Sequence, residues 1–196
     1  MNWAGARAVF PRANSDWLRQ IELQAPAHGI DTISEMASFL SQFGHETGGF
    51  RRFEENLNYS ADRLMAVWPS RFPTLAEAEK FAGNPQALAE KVYGGRMWNN
   101  LPGDGWAYRG RGPQLTGKCN YCRVSVMVNM NIIGNPDLML DPAIGVKVAC
   151  AGWNALRLDF HDDDADARAE RRIINGGLIG LKETQILLDK LLEALA

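Results

Sequence analysis

Cysteine is scarce in this chain, long apolar runs are missing, and neither sign of charge dominates. The 196 residues include three cysteines, Cys119, Cys122 and Cys150. An odd number cannot all pair within one chain, which excludes a disulfide scaffold and suits a reducing compartment. No stretch reaches the roughly 18 apolar residues of a membrane-spanning helix, and the start, Met1 to Arg7, has no basic segment followed by an apolar run. The expectation is a protein made in the cytoplasm without a signal peptide and without stable membrane insertion. A target outside the cell would have to be reached with help from another component. With 21 Lys+Arg against 23 Asp+Glu the formal charge is -2, so no global field draws nucleic acid or anionic lipid. An apolar share of 46% and a charged share of 22% exclude disorder and collagen-like structure and fit one domain, residues 1–196.

The punctuation along the chain is that of helices joined by Gly and Pro turns. Asn14-Ser15 precedes Trp17, Leu18, Ile21 and Leu23 and starts a first helix that stops near Gly29. Thr32-Ile33-Ser34-Glu35 is a capping box, and the apolar spacing after it predicts a second helix to about Glu46, ended by Gly48-Gly49. Ser60 opens a short helix through Trp68. Thr74 to Glu77 is another capping box, for a helix ending at Gly83, and Asn84-Pro85 begins one that ends at Gly94-Gly95. Between Gly94 and Pro113 stand six Gly and two Pro with Trp98, Trp106 and Tyr108, too much order-breaking for a helix and too aromatic for an idle linker. Helices are then expected at 117–129, 142–160, 165–174 and 181–195. No segment alternates as a strand does, beyond room for a short hairpin within 94–115. The fold class is mainly α with functional loops.

Two carboxylates stand out. Glu46 ends the second helix in Gly44-His45-Glu46-Thr47-Gly48-Gly49, about 60° round the wheel from Phe43, at the edge of the apolar stripe. Desolvation and the negative helix end both disfavour an anion there, as a proton-donating acid requires. Glu55, in Phe53-Glu54-Glu55-Asn56-Leu57-Asn58-Tyr59, follows two glycines in a polar loop and is expected to be hydrated and ionised. One protonated and one charged carboxyl is the arrangement of glycoside hydrolysis. His45-Glu46 lacks the second histidine of a zinc-protease motif, because position 49 is Gly. Trp106-Ala107-Tyr108-Arg109-Gly110-Arg111-Gly112-Pro113-Gln114-Leu115-Thr116-Gly117 offers close backbone approach, rings for sugar faces, and short donors and acceptors.

Taken together, Gly44 to Tyr59, Tyr108 to Tyr121 and Ile174-Asn175-Gly176-Gly177 resemble glycoside hydrolase family 19 over roughly residues 30 to 180. The likeness is to phage endolysins and prophage relatives more than to plant chitinases. It implies an all-α, lysozyme-like fold with a deep substrate cleft and hydrolysis, with inversion, of β-1,4 bonds between N-acetylated sugars. No metal or organic cofactor is implied. Glu46 matches the general acid, Glu55 the second carboxylate and general base, and Thr116 the hydroxyl that helps hold the attacking water. In an inverting pair the carboxyl groups stand about 6.5–9.5 Å apart. The substrate-binding set comprises His45, Tyr59, Trp106, Tyr108, Arg109, Gln114, Asn120 and Asn175, with Trp98 a further groove candidate and Arg51, Arg52, Arg109 and Arg111 a local basic cluster.

The expected partner is the glycan strand of peptidoglycan, cut between N-acetylmuramic acid and N-acetylglucosamine by a monomer. The enzyme would reach the wall after a separate protein has permeabilised the membrane. Chitin is the alternative substrate. A catalytically silent wall-binding module, and a thiol or zinc protein built on Cys119-Asn-Tyr-Cys122, are alternatives of other classes. His161-Asp162-Asp163-Asp164 lacks the spacing of a calcium loop and reads as a solvated acidic helix start.

Overall fold

The computed structural model describes residues 1–113, 115–156 and 166–196. Eleven α-helices and two 3-10 turns make up the regular structure among them. In order the helices are α1 (Trp3–Val9), α2 (Ser15–Gln24), α3 (Ile33–Glu46), α4 (Ala61–Val67), α5 (Leu75–Glu79) and α6 (Pro85–Tyr93). There follow α7 (Asp104–Ala107), α8 (Lys118–Met127), α9 (Pro142–Ala155), α10 (Ala167–Asn175) and α11 (Leu181–Leu195). The 3-10 turns are Ala25–His28 and Pro136–Leu140. Gln114, the end of the expected 142–160 helix and the acidic run His161 to Asp164 lie outside the described residues.

The capping residues act as their positions imply. Thr32 Oγ1 accepts from the Glu35 amide while the Glu35 carboxylate accepts from the Thr32 amide, closing a reciprocal box that fixes the start of α3. Asn14, Ser60, Thr74, Asn84 and Asp141 likewise take amide donors at the starts of α2, α4, α5, α6 and α9. Two helices were not expected. The first is α1, capped by Asn2. The second is the single turn α7 inside the Gly-rich stretch, which Gly103 can start because it takes φ 90°.

Helix α3 is the axis of the molecule. Every residue from Met36 to Gly44 is buried, polar ones included, so the helix is covered all round. Its cover comes from α2 through Trp17 and Ile21, from α9 through Val146 and Trp153, and from α11 through Leu188, Leu191 and Leu195. A second core, of Leu57, Leu64, Phe72, Ala78, Leu88 and Val92, holds α4 to α6 together. A third, around Tyr108, Tyr121, Val124, Ile132 and Met139, lies under the Gly-rich loop and α8. The 47–57 segment ties the first core to the second, and the loop before α8 closes over it. The expected hairpin is reduced to antiparallel bridges, Arg111 with Leu115 and Glu54 with Arg111.

Candidate active site

Glu46 is the last residue of α3, where a fully packed helix gives its side chain a fixed origin. Its Oε1 accepts from Arg171 Nη1 at 2.6 Å. Arg171 is itself only 1% exposed, and its remaining donors are engaged too: Nε and Nη2 reach the Ile179 carbonyl at 3.2 and 2.8 Å, and Nη1 also reaches Gln42 Oε1 at 3.3 Å. Gln42 sits one turn before Glu46 and donates through Nε2 to Glu170 Oε2 at 2.8 Å. A chain of buried Glu170, Gln42 and Arg171 ending on partly exposed Glu46 therefore locks the end of α3 to α10. Beside Glu46 lies a pocket of about 280 Å3 with apolar walls from Phe39, Phe43, Leu115, Val148 and Trp153.

Between Glu46 and Glu55 the chain reverses. Thr47 Oγ1 donates to the Phe43 carbonyl and accepts from the Phe50 amide. Phe50 takes φ 58° yet is completely buried, a strained conformation that its burial against Phe10 and Phe43 offsets. Phe53 then stacks on Trp17 at 3.7 Å between ring centroids. The next two residues point to opposite sides, as extended backbone requires. Glu54 pairs with the guanidinium of Arg109 and approaches Arg111 at 3.7 Å. Glu55 turns to the other side, where Tyr93 Oη donates to its Oε1 at 2.6 Å and the Gly110 amide to its Oε2 at 3.3 Å.

Thr116 comes to the same place. A methyl group built on Gly110 would lie 3.3 Å from Glu55 Oε2 and 3.3 Å from Thr116 Oγ1, so both oxygens face one small space that exists because residue 110 has no side chain. Asn120 Nδ2 donates to the Thr116 carbonyl at 2.8 Å and holds that end of the loop in position. One residue before Thr116, Leu115 forms part of the wall beside Glu46. The loop thus joins the two carboxylate environments. Burial, and secondarily the hydrogen bond to Glu55, push the Tyr93 phenol well above the ordinary tyrosine range, so it remains a donor.

The other expected residues divide. Asn175 is exposed at the end of α10, with Nδ2 3.4 Å from the Ile179 carbonyl that Arg171 also grips. His45 turns away from the Glu46 pocket, packing on Gly180 and lining a separate pocket with Phe10, Arg12 and Arg51. Tyr59 is half-buried against Trp68. Trp106 is half-buried, with the Arg109 guanidinium 3.6 Å over its ring. Two expectations need correcting. Tyr108 is 8% exposed and Arg109 7%. Tyr108 donates to the Ile133 carbonyl, and Arg109 is engaged by Glu54, Trp106 and its carbonyl. Both support the loop from beneath, because the loop's glycines turn its backbone toward the site and its large side chains inward. Arg111, 3% exposed and paired with Asp137, is likewise no surface charge, which leaves Arg51 and Arg52 as the exposed part of the expected basic cluster.

Tyr93, Gln42, Glu170 and Arg171 were not expected from the sequence. The signal for the last two was present. Ala167, Glu170, Arg171 and Ile174 follow the i, i+3, i+4, i+7 spacing of a buried stripe, and charges within such a stripe ask for partners.

No family model matches the sequence. A curated protein of Haemophilus influenzae, described as a glycosyl hydrolase family 19 domain-containing protein, is 37% identical over 183 residues, covering 89% of this chain and 87% of its own. The chain belongs to glycosyl hydrolase family 19. As a family 19 protein it is a glycoside hydrolase, and its fold agrees. Chitinase C from Streptomyces griseus HUT6037 superposes with a TM-score of 0.65 at 22% identity, over 98% of this chain and 75% of the chitinase. A second bacterial family 19 chitinase superposes with a TM-score of 0.66 at 22% identity, over 98% and 93%. The mainly α, lysozyme-like architecture expected from the motifs is the one observed.

Proposed function

We propose that this family 19 hydrolase is a lysis enzyme that cuts the β-1,4 bonds of peptidoglycan between N-acetylmuramic acid and N-acetylglucosamine, with inversion. The observation that carries the mechanism is the convergence of Glu55 Oε2 and Thr116 Oγ1 over Gly110. A water held between a carboxylate and a hydroxyl is oriented and can lose its proton to the carboxylate as it attacks the anomeric carbon. Tyr93 fixes the rotation of the Glu55 carboxyl, leaving Oε2 to face the water. Glu46, beyond the Leu115 wall, gives its proton to the departing glycosidic oxygen.

Two features favour peptidoglycan over chitin. All three cysteines are free thiols, which suits a protein kept folded in a reducing cytoplasm until the membrane is opened by another protein. Arg51 and Arg52 are exposed on the turn after Glu46 and suit a polymer bearing carboxylates more than an uncharged one. The chitinase structures favour chitin as the second reading.

Digestion of purified peptidoglycan and of chitin oligomers, with products read by mass spectrometry and the new anomer by NMR, tests the proposal. The expected result is α-anomer fragments of peptidoglycan from the wild type and none from Glu46→Gln or Glu55→Gln. Activity surviving Glu46→Gln overturns the mechanism, and cleavage of chitin alone overturns the substrate.

A further inference from the structure

The turn between α6 and α7 carries a strain that the family's chemistry does not explain. Met97 and Trp98, in succession, take φ 51° and 64°. They are the two central residues of a turn closed by the Asn99 amide on the Arg96 carbonyl at 2.8 Å. Two left-handed residues in a row are the geometry that tight turns reserve for Asn and Gly, and large side chains are costly there.

The turn is not loose. Asn99 is 1% exposed and ties it in three directions. Its carbonyl accepts from the Gly95 amide at 2.7 Å, its Nδ2 donates to the Tyr93 carbonyl at 3.1 Å, and its Oδ1 accepts from the Lys118 amide at 2.9 Å. The Met97 carbonyl accepts from the Cys119 amide at 3.0 Å. The Met97 side chain fills the space over Gly117, where a methyl group would lie 2.6 Å from Met97 Cβ and 2.9 Å from Sδ. Met97 is therefore the anchor, and Trp98 is what the anchored turn holds out. The residue is 63% exposed, and among the described residues no other ring or cation stacks on its indole. A rigid, strained turn that spends its hydrogen bonds on keeping an indole in water has a purpose outside the folded chain.

The place of the turn indicates what the indole meets. Through Asn99 it is bonded to Tyr93, the residue that holds Glu55, and through Met97 it rests on Gly117, next to Thr116. We infer that Trp98 is a stacking platform for a pyranose ring of the glycan strand, on the Glu55 and Thr116 side of the site and away from the bond that is cut. The C–H face of a sugar is apolar and flat, its hydroxyls point outward to water, and a preorganised indole offers the matching surface with no ordering cost at binding. This inference rests on the glycosidase reading above.

Trp98→Gly removes the ring and suits the backbone, so the variant is expected to unfold at the same or higher denaturant concentration. With polymeric glycan its KM is expected to rise about 3- to 10-fold with kcat unchanged, the worth of one stacked ring. Trp98→Phe should recover part of the loss. A disaccharide-length fluorogenic substrate, too short to reach the turn, should be cut equally by both proteins. Unchanged KM on peptidoglycan and on chitin overturns the inference. So does a defect confined to binding anionic phospholipid vesicles, which would make the ring a lipid contact. If the wild type cuts neither glycan, the proposed function fails. Quenching of tryptophan emission by soluble glycan oligomers, compared in Glu46→Gln with and without Trp98→Gly, then decides the platform separately. A Trp98-dependent signal supports it, and none overturns it.

Discussion

At the scale of single residues, the placement of Glu55 depends on its neighbours. Tyr93 is one. Its raised pKa means the neutral phenol persists to higher pH than an ordinary tyrosine, so the hydrogen bond to Glu55 survives throughout the working range and adds no alkaline limb to the pH–rate profile. Tyr93→Phe is expected to lower kcat about tenfold, the worth of one hydrogen bond to a charged group, with circular dichroism unchanged. Gly110 is another. An added methyl there meets Glu55 Cβ at 3.2 Å and Thr116 Oγ1 at 3.3 Å. Gly110→Ala is therefore expected to cost on the order of 10- to 100-fold in kcat by displacing one oxygen from the other, while the denaturation midpoint moves little. What the sequence revealed at this scale was local. Glu54 and Glu55 are adjacent, and the motif picks the second; the alternation of extended backbone separates them, sending Glu54 to Arg109 and Glu55 to Tyr93 and the Gly110 amide. Tyr93 left no such trace, because its bond to Glu55 crosses 38 residues and depends on two cores meeting. Tyr108 and Arg109 misled because an aromatic and basic loop reads as a ligand surface until its backbone direction is known.

At the scale of elements, capping chemistry made α3 legible from end to end and so fixed where Glu46 stands. Helix α10 was legible as a helix but not as part of the site. Only docking against α3 brings Arg171 to Glu46 and Glu170 to Gln42. Removing the guanidinium leaves the Glu46 carboxyl, the Gln42 side-chain oxygen and the Ile179 carbonyl without their donor, which is expensive. Arg171→Met is accordingly expected to lower stability by about 3 kcal/mol or more, read by urea unfolding, and to abolish turnover of glycan even at temperatures where the variant remains folded. The Gly-rich stretch hid α7 because six glycines outweigh one turn of helix in any reading by composition.

At the scale of the whole molecule, the three cores treat the three thiols differently. Cys150 is fully buried in the main core, and burial pushes its thiol up to about 12. Cys119 and Cys122 lie half-exposed along α8. A thiol titration at pH 8 is expected to find no more than two reactive groups in the native protein and three in denaturant. Early reaction of the third would place Cys150 outside the core. The same centring of the fold on α3 bears on how the enzyme is made. The helix that carries Glu46 leaves the ribosome well before α11, which covers it, and the bond from Glu46 to Arg171 spans 125 residues. Nascent chains therefore hold an unclosed apolar axis and an unpaired Glu46 until α10 and α11 have emerged. The axis closes only once both helices have emerged, and a ribosome stalled before α10 carries a hydrolase whose Glu46 has no Arg171 to meet.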